Sequence, residues 1–155
     1  MNDQQIDLVK ESWAAVAPIA PTAAALFYDR LFSTAPGVRP LFPDDITEQK
    51  TKLMEMITTV VDGLDRPQTI AGEIEDLGRR HAAYGARTEH YDVVADCLLW
   101  TLAQGLGEDF TPEVRAAWTA AYALLATTMI AAAATAATPG SEAPAISPAA
   151  SSAQG

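Results

Sequence analysis

Apolar side chains recur three and four positions apart along most of the chain, the spacing of one helix face. No convincing alternation of apolar and polar residues, the mark of a half-buried strand, interrupts them. Ile6, Val9, Trp13 and Val16 make a first stripe, opening near Asn2 or Asp3 and ending around Pro18. Leu26, Phe27, Tyr28, Leu31 and Phe32 belong to a second helix, and Pro21 suits its first turn, where the missing N–H would be unpaired anyway. Ala35-Pro36-Gly37 breaks the chain, Val38 to Phe42 predicts a short helical turn, and Pro43-Asp44-Asp45 a corner. An aspartate of that corner, or Thr47, is placed to cap a third helix running to about Gly63, with Ile46, Leu53, Ile57, Val60 and Leu64 inward. A fourth helix carries Ile70, Ile74, Leu77 and His81 and stops near Gly85. Thr88 is placed to cap a long helix with Val94, Cys97, Leu98 and Leu102, ending at Gly105 or Gly107. Thr111-Pro112-Glu113 combines a cap, a first-turn proline and an acidic first turn. It opens the last helix, with Val114, Trp118, Tyr122, Leu125 and Met129.

The pattern predicts one all-α domain over 1–137 and, where bulky apolar residues nearly vanish among Pro, Ala, Ser and Gly, a disordered tail over 138–155. A chain of 155 residues, half of them apolar, can bury a core without staples. Its formal charge of −10, with the few basic residues scattered, predicts neither nucleic acid nor an anionic membrane as partner, since both select clustered Lys and Arg. The Ala-rich stretch from Ala116 to Ala137 comes nearest to a membrane span, but Trp118, Tyr122 and several threonines suit a buried helix better. The first residues lack the basic and apolar regions of a signal peptide, so a cytoplasmic location is expected. The lone Cys97 forms no internal disulfide, fits a reducing compartment and is expected in the core. Association as a homodimer through Trp100 or the last helices is compatible with the sequence, as is a monomer.

Two histidines differ in setting. His81 continues the stripe of Ile74 and Leu77 toward the core, which suits either a hydrogen-bonded core imidazole or a metal ligand. His90, between Glu89 and Tyr91, suits a local turn or cap. No set of three or four His, Cys and carboxylate ligands has the spacing of a zinc site, and no Cys-x-x-Cys-His for covalent haem attachment is present. One inward imidazole still suffices for haem, because the porphyrin supplies four nitrogens of its own.

Leu77-Gly-Arg-Arg-His81-Ala-Ala-Tyr-Gly85, followed by Glu89-His90-Tyr91-Asp92-Val93-Val94, resembles the proximal region of bacterial single-domain globins and of the globin domain of flavohaemoglobins. Leu26-Phe27-Tyr28 and Val38-Arg39-Pro40-Leu41-Phe42-Pro43 resemble the distal segments, and Ala117-Trp118 to Ala121-Tyr122 the last helix. The resemblance spans roughly residues 3 to 135. It implies a globin fold of about seven helices, three over three, around haem b. His81 then matches the proximal iron ligand and Phe42 the phenylalanine packed on the haem face. Tyr28 and Gln49 match distal hydrogen-bond donors, and Leu53 the apolar residue one turn beyond. Lys52 is placed to reach a propionate, and Leu77, Arg80, Tyr91 and Val94 complete the cofactor-contacting set. Read without the resemblance, Phe42 and Leu53 would be buried in almost any helical fold, Tyr28 could be a core tyrosine, and Gln49 a solvated helix residue. A register shift of one at the corner would turn Glu48 or Lys50 inward instead of Gln49.

The implied ligands are oxygen first, then NO and CO. A phenol O–H and an amide N–H facing a polar diatomic slow its release and discriminate against the less polar carbon monoxide. Flavohaemoglobin-like proteins also set a carboxylate of the last helix beside the proximal imidazole; that position falls at or near Ala133, and Tyr91 matches the accompanying tyrosine. A second-shell carboxylate raises ligand basicity, so its absence favours reversible oxygen binding, for storage or delivery, over oxidative chemistry. As an isolated chain the protein is not expected to be an enzyme. Nitric oxide dioxygenation would need a separate reductase, for which Arg79 and Arg80 are a candidate docking point, since no dinucleotide-binding glycine motif occurs. A haem-based gas sensor is the remaining alternative.

Overall fold

The computed structural model describes residues 1–136, and the tail predicted over 138–155 lies outside them. Six α-helices follow one another: α1 (Asp3–Val16), α2 (Ala20–Thr34), α3 (Thr47–Asp62), α4 (Ala71–Ala83), α5 (Thr88–Leu106) and α6 (Pro112–Ala136). Short 3₁₀ turns at Ala17–Ile19, Pro36–Leu41, Pro67–Thr69 and Gly107–Asp109 link them. With the Pro36–Leu41 turn counted as a helix, the described residues give the about seven helices that the resemblance implies.

Local chemistry explains most boundaries. Asn2 Oδ1 accepts from the Gln5 amide at 2.8 Å while Gln5 Oε1 accepts from the Asn2 amide at 3.1 Å, a reciprocal cap that starts α1. The break expected at Pro18 is only a tightening into 3₁₀ geometry, because a proline in a first turn forfeits no intrahelical bond. Thr111 Oγ1 accepts from the Val114 amide at 3.2 Å and opens α6 as its spacing suggested. Thr88, expected as a cap, is instead the first residue of α5; Arg87 caps it, and His90 Nδ1 accepts from the Arg87 amide at 2.9 Å. His90 therefore lies in a helical first turn and performs the capping alternative.

One apolar cluster is built on Val9, Trp13 and Val16 of α1, Val60 and Val61 of α3, Leu102 of α5, and Val114, Trp118 and Met129 of α6. The indole rings of Trp13 and Trp118 meet edge-on at 6.0 Å, and Trp118 Nε1 donates to the buried Ser12 Oγ at 2.8 Å. A second cluster joins Phe27, Tyr28 and Leu31 of α2 to Val38 and Cys97. Cys97 is buried, as expected; Trp100 is only half-buried, with the Arg30 guanidinium 4.7 Å over its ring. By length and composition α6 alone among the described helices could cross a membrane, yet Val114, Ala117, Trp118, Ala121 and Met129 bury against the core.

The closest helix approach sets α4 on α6. A Cβ on Gly78 would lie 2.6 Å from Met129 Cα and 2.8 Å from its carbonyl carbon, so only glycine lets the two backbones meet there. That contact fixes the height of α4, and with it His81 three residues on.

Candidate functional site

Tyr28 lies on the inner face of α2 and is 3% exposed. Its ring meets Phe27 at 5.0 Å, Phe42 at 5.7 Å and Phe32 at 5.8 Å, and Phe32 meets Phe42 at 5.3 Å. Burial among these rings pushes the phenol pKa up to about 12, offset only in part by a hydrogen bond with the Gln49 side chain. The group is therefore a neutral phenol across the physiological range. Gln49 is half-buried in the first turn of α3, whereas Glu48 beside it is exposed. Of the three polar side chains 48 to 50, Gln49 is the one joined to the phenol. Leu53, one turn beyond, packs in the same cluster as Tyr28 and Phe42, with Val94 and Leu98 of α5.

On the other side, α4 presents His81. Its Nδ1 lies 2.9 Å from the Leu77 carbonyl oxygen, which can only accept, so Nδ1 carries the proton and Nε2 keeps its lone pair. Burial, helped by the charge of Arg80 and opposed by the Leu77 bond, holds the imidazole pKa below its ordinary value, which favours the neutral ring. The helix stops directly behind it in a Schellman turn. Ala86 N–H donates to the His81 carbonyl at 2.9 Å and Gly85 N–H to that of Ala82 at 3.1 Å, with Gly85 at φ 101°. A Cβ on Gly85 would lie 3.2 Å from Leu41 Cδ2, so this turn abuts the 3₁₀ segment that leads to Phe42.

The two apolar clusters meet at α5. Leu77 and Tyr91 pack with the first cluster, Val94 with the second, and Leu98 with both. Lys52 and Arg80 are exposed, and Arg80 makes a hydrogen bond with Tyr84. Ala133, Ala134 and Ile130 of α6 line a cleft of about 230 Å³ with Ala82, Ala86, Thr88 and Tyr91. No acidic side chain lines it. Phe32, Leu41 and Leu98 share these surroundings without having been named as site residues; the signal was helical spacing from Tyr28 for Phe32 and from Val94 for Leu98, and for Leu41 only its place in the run that resembles a distal segment. Arg39 stood in the run that resembles a distal segment but was given no role.

The donor set decides what such a site can hold. Among the described residues no group of three His, Cys, Asp or Glu could hold a bare metal ion. A single neutral imidazole whose Nδ1–H is engaged, leaving the Nε2 lone pair as the donor, fits a metal that brings its own remaining donors, which is haem.

These features belong to a helical protein with a single part-buried histidine whose ring is neutral. The globin family model matches residues 25–129, and the chain belongs to the globin family. It is a haem-binding globin. It is 30% identical over 135 residues to a flavohaemoprotein of Vibrio cholerae, covering 84% of this chain and 34% of that protein. It is 27% identical over 143 residues to neuroglobin of Danio rerio, covering 83% of this chain and 90% of that one. Among solved structures it resembles an engineered carbene transferase derived from RmaNOD, a nitric oxide dioxygenase candidate of Rhodothermus marinus. That likeness has a TM-score of 0.80 at 27% identity and covers 87% of this chain and 94% of the other. The chain spans about a third of the length of the flavohaemoproteins it matches.

Proposed function

We propose that the chain holds haem b non-covalently through His81 Nε2 and binds oxygen reversibly. When bound, haem supplies the iron at which a diatomic ligand sits. Phe42, Leu53, Leu77 and Val94 would wall the porphyrin, with Lys52 and Arg80 as cations for its propionates. Tyr28 and Gln49 would donate hydrogen bonds to the ligand from the side opposite His81. The observation that carries this reading is the pairing of a neutral, buried phenol with a half-buried amide. Such donors favour a ligand that gains negative charge on binding and are already ordered before it arrives.

The cleft at Ala133 bears on the second reading, nitric oxide dioxygenation with electrons from a separate reductase, which the likeness to the nitric oxide dioxygenase candidate of Rhodothermus marinus favours. Without a carboxylate to accept a proton, the His81 ring stays a neutral imidazole whose Nδ1–H goes to a peptide carbonyl. We therefore place reversible binding first. The test is a spectrum of the reduced, haem-loaded chain through repeated addition and removal of oxygen. Full recovery of the starting spectrum supports the reading. Rapid irreversible oxidation, with NO consumed catalytically once a flavin reductase is added, supports the second.

A further inference from the structure

We infer that Arg39 is a positioning residue of the distal pocket, holding the corner that aims Phe42 and Gln49. The inference rests on the haem reading above and concerns how its donors are placed. The guanidinium donates to three successive carbonyls that no helix ladder satisfies: Phe42 at 3.3 Å, Pro43 at 2.8 Å and Asp44 at 3.0 Å. Its carbon lies 4.8 Å over the Phe32 ring, which packs on both Tyr28 and Phe42. Its own carbonyl accepts from the Phe42 amide at 3.0 Å. One side chain thus ties the end of the 3₁₀ turn to the whole irregular stretch before α3.

That stretch decides where α3 begins. Asp45, next after the three tethered residues, accepts from the Thr47 amide at 3.0 Å and its hydroxyl at 2.7 Å, and Gln49 follows within the first turn. Corners of this kind carry unpaired backbone groups and move readily unless something satisfies them. Arg39 satisfies them with a planar fork of donors that neither lysine nor an apolar side chain reproduces. The cation also covers Phe32 on its outer side. Among the described residues no acidic side chain forms a salt bridge with Arg39, so its bonding serves the backbone of this corner.

The experiment compares Arg39→Met, which keeps the stem and removes the donors, with Arg39→Lys, alone and combined with Gln49→Leu. In the haem-free chain, Arg39→Met should speed amide hydrogen exchange at Ile46 to Lys50 at least fivefold while α6 is unchanged. In the haem-loaded chain, oxygen release should quicken about fivefold, the worth of one net hydrogen bond, with carbon monoxide release within twofold. Arg39→Lys should recover only part of the effect. In the Gln49→Leu background Arg39→Met should add nothing further, since the arginine acts through that amide. Unchanged exchange at the corner, or an additive effect on oxygen release in the double variant, overturns the inference. Faster exchange in a chain that takes up no haem upholds the tether and instead refutes the haem reading.

Discussion

Gly78→Ala separates two effects of opposite sign. In an exposed helix interior the change should stabilise by about 1 kcal/mol, because alanine loses less backbone freedom on folding. At position 78 the added methyl would stand 2.6 Å from Met129 Cα and 2.8 Å from the adjoining carbonyl carbon, against about 3.5–4.0 Å for ordinary carbon contact. The obstruction is backbone, so no rotamer change relieves it, and α4 must lift from α6 by about 1 Å. Overpacking of this kind costs about 1–3 kcal/mol, and it exceeds the propensity gain. Gly72, in the first turn of the same helix, has nothing within 4 Å of its would-be Cβ and supplies the internal control. Thermal unfolding at fixed haem stoichiometry should lower Tm for Gly78→Ala by roughly 3–8 °C. Gly72→Ala should leave Tm unchanged or raise it slightly. Haem loss to an acceptor apoprotein should also quicken in Gly78→Ala, because α4 carries His81. A Tm for Gly78→Ala equal to or above that of Gly72→Ala would refute the close-approach argument.

Other outcomes follow from single contacts. Tyr28→Phe should raise the oxygen dissociation rate about fivefold, by removing one donor worth about 1 kcal/mol, measured by stopped-flow displacement; an unchanged rate removes the phenol from the pocket. Ser12→Ala leaves the buried Trp118 N–H without its acceptor and should cost about 1–3 kcal/mol in urea unfolding, whereas a loss under 0.5 kcal/mol by that measure means the indole is otherwise satisfied. Burial raises the phenol pKa of Tyr28, Tyr84, Tyr91 and Tyr122 alike, Tyr28 to about 12. Above pH 10 the unfolded chain releases protons that the folded one retains, so stability present at neutral pH should fall as pH rises through 10 to 12. Absorbance of phenolate near pH 10 in the still-folded chain would contradict that.

The helices were legible because a buried face leaves a mark every three or four residues; Ile74, Leu77 and His81 are one such mark. Termini were less so. Arg87 and His90 cap α5 through a backbone amide and a ring nitrogen, a pairing that the usual Ser, Thr, Asp or Asn signal does not announce. The site was legible in part through residue type. An inward imidazole shows in sequence, but its Nδ1 partner is the Leu77 carbonyl, and backbone acceptors have no letter. The same blindness hid Arg39, whose partners are three carbonyls. The meeting of Tyr28 with Gln49 depends on how a short corner folds, so helical periodicity could not choose among residues 48, 49 and 50; only the family resemblance did. Nothing local to Gly78 tells that Met129 arrives on top of it.

The proposed bond between His81 Nε2 and haem iron is most directly tested by the visible spectrum of the reduced, deoxygenated chain beside His81→Ala, each passed over a desalting column after haem loading. The parent chain should retain stoichiometric haem with the spectrum of a histidine-ligated ferrous haem. The variant should lose most of its haem, and added imidazole should restore that spectrum in what remains. Equal retention with an identical spectrum and no response to imidazole would contradict the assignment.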